Sequence, residues 1–328
     1  MYSGQAAIDY LASEAIINDP SASSHWRKYH SEFKFNGQEF TGLRGFGGRA
    51  KQPTGLRLWF HQLLQRRFRH FGDLYPTFNA IDTLARKVTG QQQRAYDLDV
   101  LRQTLTLSFL HASAPCRLTE NTTCCVIGDG FATMCTLMLS NKSAGCVVLV
   151  NLTKTLLVDL WYLKLWMGAE DFETSVDLVV DKIGLAHALK KSRTLADGAR
   201  QVIAIQASDH QLLQNCPIDV VVNIASMQEM DLHVVASYFE DLRAITLKRD
   251  LLFYCCNRVE KKFPDGTVTR FADYPWLADD QVLVNGLCPW HQYYYSARPP
   301  FYRPYDGPLI HRLVTFRANR PKIYEQNI

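Results

Sequence analysis

The sequence predicts an α/β protein built on a Rossmann-like, doubly wound and mostly parallel sheet, preceded by a mainly helical region. Three observations lead there. From about Thr122 onward, short apolar or β-branched runs alternate with helical patterns. The first of those runs breaks into the glycine turn Gly128-Asp129-Gly130. Late in the chain the alternation gives way to extended segments joined by a tight turn. Alternating strands and helices imply parallel strands covered on both faces, with ligands collected at the carboxyl ends of the strands.

Composition sets the outer bounds. The 328 residues suffice for one large core or two unequal ones, and 47% hydrophobic with 21% charged residues is the make-up of an ordinary globular chain. A net charge of +4 is small for this length and does not mark nucleic acid as a partner. Met1-Tyr2-Ser3-Gly4-Gln5 carries no basic stretch leading into an apolar one, and no later run approaches the ~20 apolar residues of a membrane span. The expectation is a cytoplasmic protein. Of nine cysteines, Cys124, Cys125, Cys146, Cys255 and Cys256 sit inside apolar runs and read as small core residues in a reducing compartment. Cys288 and His291 have ligand-like spacing, but one pair is half a site; with no Cys-x-x-Cys in the chain, no metal is expected.

In chain order, residues 1–115 read as a helical and looped lid or oligomerisation region, and 116–328 as the Rossmann-like domain. Ile8, Leu11, Ala15 and Ile16 have helical spacing, ended by Asn18-Asp19-Pro20-Ser21. Ser24 to Pro53 reads as loop-rich, with the run Gly42-Leu43-Arg44-Gly45-Phe46-Gly47-Gly48-Arg49 as a covering segment or an irregular loop. Arg57 to His70 is a basic amphipathic helix that turns Leu58, Leu63, Leu64 and Phe68 inward and leaves Arg57, Arg66, Arg67 and Arg69 wet. That face is either simply solvated or an electrostatic site for an acidic substrate or anionic lipid headgroups. Leu98, Leu101, Leu105 and Phe109 mark a further helix before a linker at Ala114-Pro115.

Strands are expected at Cys124–Ile127, Cys146–Val150, Val202–Ile205, Asp219–Ile224 and Leu251–Cys256. Leu156, Leu157, Leu160 and Trp161 define a helix with Lys154 and Asp159 turned away, and Leu232 to about Leu247 another. Phe263-Pro264-Asp265-Gly266-Thr267-Val268 is a hairpin signal, and Leu313–Phe316 a last strand.

Two cofactors compete for the glycine turn. A dinucleotide wants Gly-x-Gly-x-x-Gly and an acidic residue closing the second strand about 20 residues on. Here Thr133 stands in the third glycine position and Asn151 closes the strand. S-adenosylmethionine, which has no pyrophosphate, tolerates both. On that reading Gly128, Asp129 and Gly130 form one edge of the site, Asn151 bonds the ribose, Ala207 and Ser208 border the adenine, and Asn223 lies near the reacting group. Asn223 and Ser226 are equally suited to cap the next helix.

Ser226-Met227-Gln228-Glu229-Met230, Asn257-Arg258, Asp273-Tyr274-Pro275-Trp276, Cys288-Pro289-Trp290-His291-Gln292 and Tyr305-Asp306-Gly307-Pro308 with His311-Arg312-Leu313 follow one another in the chain. Together they resemble the sugar O-methyltransferase family, over about Trp26 to Phe316. The resemblance implies a class I methyltransferase type of sheet, S-adenosylmethionine as cofactor, and a sugar hydroxyl of a surface glycan, lipid- or nucleotide-linked, as acceptor. The turn departs from the wider methyltransferase pattern at Val126, often acidic, and at Ala132, often glycine.

A sugar hydroxyl is a poor nucleophile and calls for a base. His291 is the expected base, with Asp306 or Glu229 orienting it or contributing a second acceptor, while Trp276, Trp290 and Tyr293 offer stacking faces and Arg258 and Arg298 bind an anionic group on the glycan. Peripheral membrane contact at the inner face and homo-oligomerisation complete the expectations. The alternatives are a nicotinamide-dependent oxidoreductase acting on a nucleotide sugar and a non-catalytic glycan-binding protein.

Overall fold

The computed structural model describes residues 1–16, 19, 22–43, 53–194, 200–247 and 249–318. The turn residues Asn18, Pro20 and Ser21 and the Arg44–Arg49 part of the glycine-rich run lie outside them.

Nine strands make the principal sheet: β1 (Tyr2–Ser3), β2 (Thr123–Ile127), β3 (Cys146–Asn151), β4 (Val176–Val179), β5 (Gln201–Gln206), β6 (Val220–Ile224), β7 (Leu251–Arg258), β8 (Gln281–Leu287) and β9 (Leu309–Phe316). Their spatial order is β1-β4-β5-β3-β2-β6-β7-β9-β8. The six from β4 to β7 are mutually parallel, whereas β9 runs antiparallel between β7 and β8, and β1 antiparallel to β4. This parallel block with an antiparallel return is the class I, Rossmann-like methyltransferase type of sheet that the sequence predicts.

Every residue of β3 and β5 is buried, as parallel strands covered on both faces require. The period of two divides each strand between two cores. Cys124 and Val126 join one apolar cluster with Leu101, Leu105, Met138 and Leu160, while Cys125 and Ile127 join another with Leu185, Val235 and Phe239. Fully burying a Val or Leu side chain contributes roughly 1.5–3 kcal/mol, so these strands anchor the fold.

The helices are α1 (Gln5–Glu14), α2 (Ser24–His30), α3 (Gly55–Arg69), α4 (Phe78–Gln91), α5 (Leu98–Ser113), α6 (Thr133–Ser140), α7 (Thr153–Met167), α8 (Ala169–Ser175), α9 (Lys182–Thr194) and α10 (Leu232–Ile245). Ile8 of α1, Ile81 of α4 and Leu105 of α5 share one cluster with the strands, so the core continues across residue 115. No helix among the described residues is long and apolar enough to cross a membrane.

Several expectations are corrected. The Ser24–Pro53 stretch contains α2 and a small hairpin, Lys34–Phe35 with Phe40–Thr41, where Phe35 and Phe40 stack on each other and meet Trp161 edge-on. On α3, Leu64 and Phe68 are buried as expected, but Leu63 is exposed and His61 and Gln65 are buried instead. Lys154 and Asp159 do not turn away. Both are buried, because α7 is apolar on nearly every side and presents no face to water. The sequence reading also missed β4, whose buried Asp177 breaks the apolar pattern; Ser3 Oγ (2.6 Å) and Lys191 Nζ (2.8 Å) bond that carboxylate.

The Pro264-Asp265-Gly266 turn joins a hairpin of Glu260–Lys262 and Val268–Arg270, as expected. All nine cysteines are free thiols, and only Cys116 is exposed.

Candidate functional site

The chain leaves β2 outward through β3, β4 and β5, then crosses back to place β6 on the other side of β2. That reversal opens a crevice at the carboxyl ends of the strands. A cleft with ≈ 1240 Å³ of empty space, its open mouth included, lies there. Gly128–Phe131 follow β2, Asn151 closes β3, Ala207 follows β5, and Ala225 and Ser226 follow β6; all of them line it. Ser23 and Trp26 from the α2 region and Arg94, Asp99 and Arg102 from around the start of α5 complete the wall.

The turn needs glycine for two reasons. Gly128 has φ +73°, and a Cβ there would stand 2.3 Å from the Ser226 side chain. Gly130 has φ +70°. Phe131 and Ala132 then continue in the left-handed region, at φ 62° and 48°, which costs about 1–2 kcal/mol per non-glycine residue. Ala225, across the cleft floor, is left-handed too. Strained backbone gathered at one cleft is the usual mark of a working site.

Two carboxylates hold the strained turn. Asp129 accepts the amides of Met134 (2.8 Å) and Cys135 (2.7 Å), the first-turn donors of α6. Asp159 accepts the amide of Ala132 at 2.8 Å through Oδ1 and the Asn151 Nδ2 amide at 2.8 Å through Oδ2. Burial raises the Asp129 carboxyl to about 6, against the pull of those amides and of Arg94. Asp159 lies well above the ordinary carboxyl range, first from burial and then from the charge of Asp129.

Arg94 is buried beside this pair. Its Nε donates to Gln92 Oε1 at 2.7 Å, a second nitrogen bonds Thr133 Oγ1, and the guanidinium lies 5.2 Å from the Phe131 ring centre. No carboxylate among the described residues pairs with it. Burial lowers its pKa. The charges of Asp97 and Asp129 act against that lowering, and an anionic group bound in the cleft would add to them.

At the other end stand Glu229, His291 and Tyr305. Glu229 lies 3.4 Å from His25 Nε2 and 3.5 Å from Lys261 Nζ. Tyr305 is flanked by Arg102 and Arg258, whose guanidinium carbons lie 5.1 and 4.9 Å from its ring centre. His291 Nδ1 faces Cys288 Sγ (3.4 Å) and Cys256 Sγ (3.7 Å). Among the described residues no hydrogen bond joins His291 to Glu229 or Asp306, the two groups expected to orient it. The thiols occupy that place.

The structure therefore brings Gly128, Asp129, Gly130, Asn151, Ala207, Glu229 and His291 to one cleft. The remaining candidates lie off its wall. Asn223 is fully buried and bonds Ile127 O, Ser226 Oγ and Asn257 Nδ2, knitting the ends of β2, β6 and β7 together. Ser208 is exposed on the turn after β5. Asp306 is exposed and pairs with Arg258 at 3.0 Å. Trp290 packs in the core against Phe109, Tyr75 and His311. Trp276 lies among Phe239, Phe253 and Phe271 with Arg312 over its ring. Tyr293 is a surface residue under Arg67, and Arg298 is exposed.

Sequence reasoning passed over Asp159, Arg94, Trp26, Tyr305 and Cys256. An acid inside the run Leu156-Leu157-Val158-Asp159-Leu160-Trp161 was a usable signal, since a helix apolar all round must bury its acid. For Arg94 and Trp26 nothing local distinguishes them from other basic and aromatic residues.

No family model matches the chain, and no curated protein matches it. Among solved structures it is similar to the cyclopropane synthase MmaA2 from Mycobacterium tuberculosis, at 16% identity and a TM-score of 0.27. The likeness covers 48% of this chain and 45% of that one, less than half of either, and carries no argument about the reaction.

Proposed function

We propose that the chain is an S-adenosylmethionine-dependent O-methyltransferase acting on a sugar hydroxyl of a surface glycan. One observation carries the choice of cofactor. The amides at the start of α6, the donors a pyrophosphate would take, are already held by Asp129, with Asp159 on the preceding amide. Asp129 on those amides, negative above about pH 6, disfavours a phosphate group and favours a cationic one. This weighs against a nicotinamide dinucleotide.

The residues present fit S-adenosylmethionine. Arg94 takes its carboxylate, Asp129 its ammonium, Asn151 the ribose hydroxyls, and the wall at Ala207 borders the adenine. When bound, the cofactor supplies an electrophilic methyl group on sulfur. The chain supplies orientation and a proton acceptor. Glu229 and His291 are the candidate proton acceptors at the acceptor end, and Trp26 adds a ring to the wall, the Tyr305 ring being flanked by Arg102 and Arg258.

Peripheral contact with an anionic membrane belongs to the same proposal. Leu56, Trp59 and Leu63 stand exposed at helical spacing on α3, next to the exposed Arg57, Arg66 and Arg67. The function is tested by incubating the chain with methyl-labelled cofactor and a pool of glycan precursors. One added methyl on a sugar is expected. Label appearing only on protein or small thiols would overturn the acceptor assignment.

A further inference from the structure

The sequence pairs Cys288 with His291, and the fold adds a third ligand. Successive side chains on β7 point to opposite faces, so Cys255 joins the cluster around Phe253 and Phe239 while Cys256 points to the face that holds Cys288 and Trp290. Cys288 follows β8, tied to β9 by its amide on Leu309 O at 2.9 Å. The short turn Pro289–His291 then folds the imidazole back, with the His291 amide on Cys288 O at 3.2 Å. Cys256 Sγ, Cys288 Sγ and His291 Nδ1 end within 4.8 Å of one another, all buried.

We infer that these three atoms form a binding site for a soft divalent cation, zinc by ligand type, at the floor of the acceptor end of the cleft. Two thiolates and an imidazole are a zinc donor set. Bond lengths of about 2.3 Å to sulfur and about 2.05 Å to nitrogen give a tetrahedral sulfur-to-nitrogen edge of about 3.6 Å. The two observed sulfur-to-nitrogen edges, 3.4 and 3.7 Å, are close to that value, and the two sulfurs lie within 4.8 Å of each other. Among the described residues no further His, Cys, Asp or Glu joins the cluster, which leaves the fourth position to water. Tyr254, on the same face of β7, and His311, paired with Cys256 from the adjacent β9, flank the site.

The metal would staple β7 to the turn after β8 and fix the His291 ring. With Nδ1 on the metal, the proton sits on Nε2, so His291 donates a hydrogen bond to the cleft and does not take a proton. On the methyl-transfer reading, Glu229 is then the proton acceptor. The metal site itself does not depend on that reading.

Metal analysis of the full chain, kept reduced and purified without chelator, tests it. About one zinc per chain is expected, falling to about a tenth or less in Cys256→Ser and in Cys288→Ser. Cobalt titration of the unsubstituted chain keeps the test independent of how the variants fold: thiolate-to-cobalt charge-transfer absorption and a tetrahedral visible spectrum are expected. Absence of that absorption in a chain whose thiols titrate as free, or a zinc content unchanged by either serine variant, would overturn the site. Because these readouts need no turnover, they stand or fall apart from methyl transfer.

Discussion

Asp159 accepts the amide of Ala132 at 2.8 Å, so a buried acid on α7 holds the left-handed end of the glycine turn. Its other oxygen takes Asn151 Nδ2, while Asn151 Oδ1 accepts the Leu152 amide at 3.0 Å. Turn, second-strand end and helix are thus one unit. Asp159→Asn sets two amide donors against each other and should cost about 1–3 kcal/mol of stability. Adding Asn151→Asp restores donor and acceptor, and should recover most of the loss while keeping or strengthening S-adenosylhomocysteine binding. Urea melts of the two single variants and the double variant check this; additive losses would show that the pair does not act through this bond.

Asp129 couples the site to pH in two opposite senses. Its folded value, about 6, lies above the ordinary 3.8. Protonation therefore favours the empty fold: the contribution is complete below about pH 4 and is lost as pH rises through about 6. Cofactor binding needs the carboxylate and should tighten over the same window. S-adenosylhomocysteine titrations at about pH 5 and about pH 8, with Asp129→Asn as reference, read the effect. A pH response identical in the variant would remove the pairing with the cofactor's ammonium. Asp129→Ala should also lose about 1 kcal/mol for the missing helix cap, measured by denaturant unfolding.

Arg94→Met removes a buried cation that forms no close ion pair with a carboxylate among the described residues. Charge-assisted bonds contribute about 1.5–3 kcal/mol, so S-adenosylhomocysteine affinity should fall about tenfold or more. Calorimetry on the variant measures it; unchanged affinity would exclude Arg94 as the carboxylate partner.

The exposed stripe on α3 predicts binding to vesicles rich in anionic lipid, weakening as salt rises. Trp59→Ser together with Leu56→Ser should weaken sedimentation with such vesicles and leave binding of S-adenosylhomocysteine unchanged. Equal binding to neutral vesicles would contradict an electrostatic contribution.

The inner parallel strands were legible because they are continuous apolar runs, several of them β-branched, whereas β4, broken by Asp177, and the edge strands β1 and β8 were not; the hairpin was legible because Pro-Asp-Gly permits little else. The strand-end members of the cleft were legible for the same reason: a switch point places whatever follows β2, β3, β5 and β6 in one crevice. The acceptor wall was not. Trp276 and Trp290 have the composition of a sugar-stacking loop, and only packing separates a core tryptophan from a binding one. Cys256 and Cys255 are neighbours in the chain, and their division between two faces follows from strand period. Which face meets Cys288 is set by the insertion of β9 between β7 and β8.

Calorimetric titration of the full chain with S-adenosylhomocysteine and, separately, with NAD tests the central claim most directly. Saturable, one-to-one binding of S-adenosylhomocysteine with no heat from NAD is predicted. Saturable binding of NAD with none of S-adenosylhomocysteine would contradict the account.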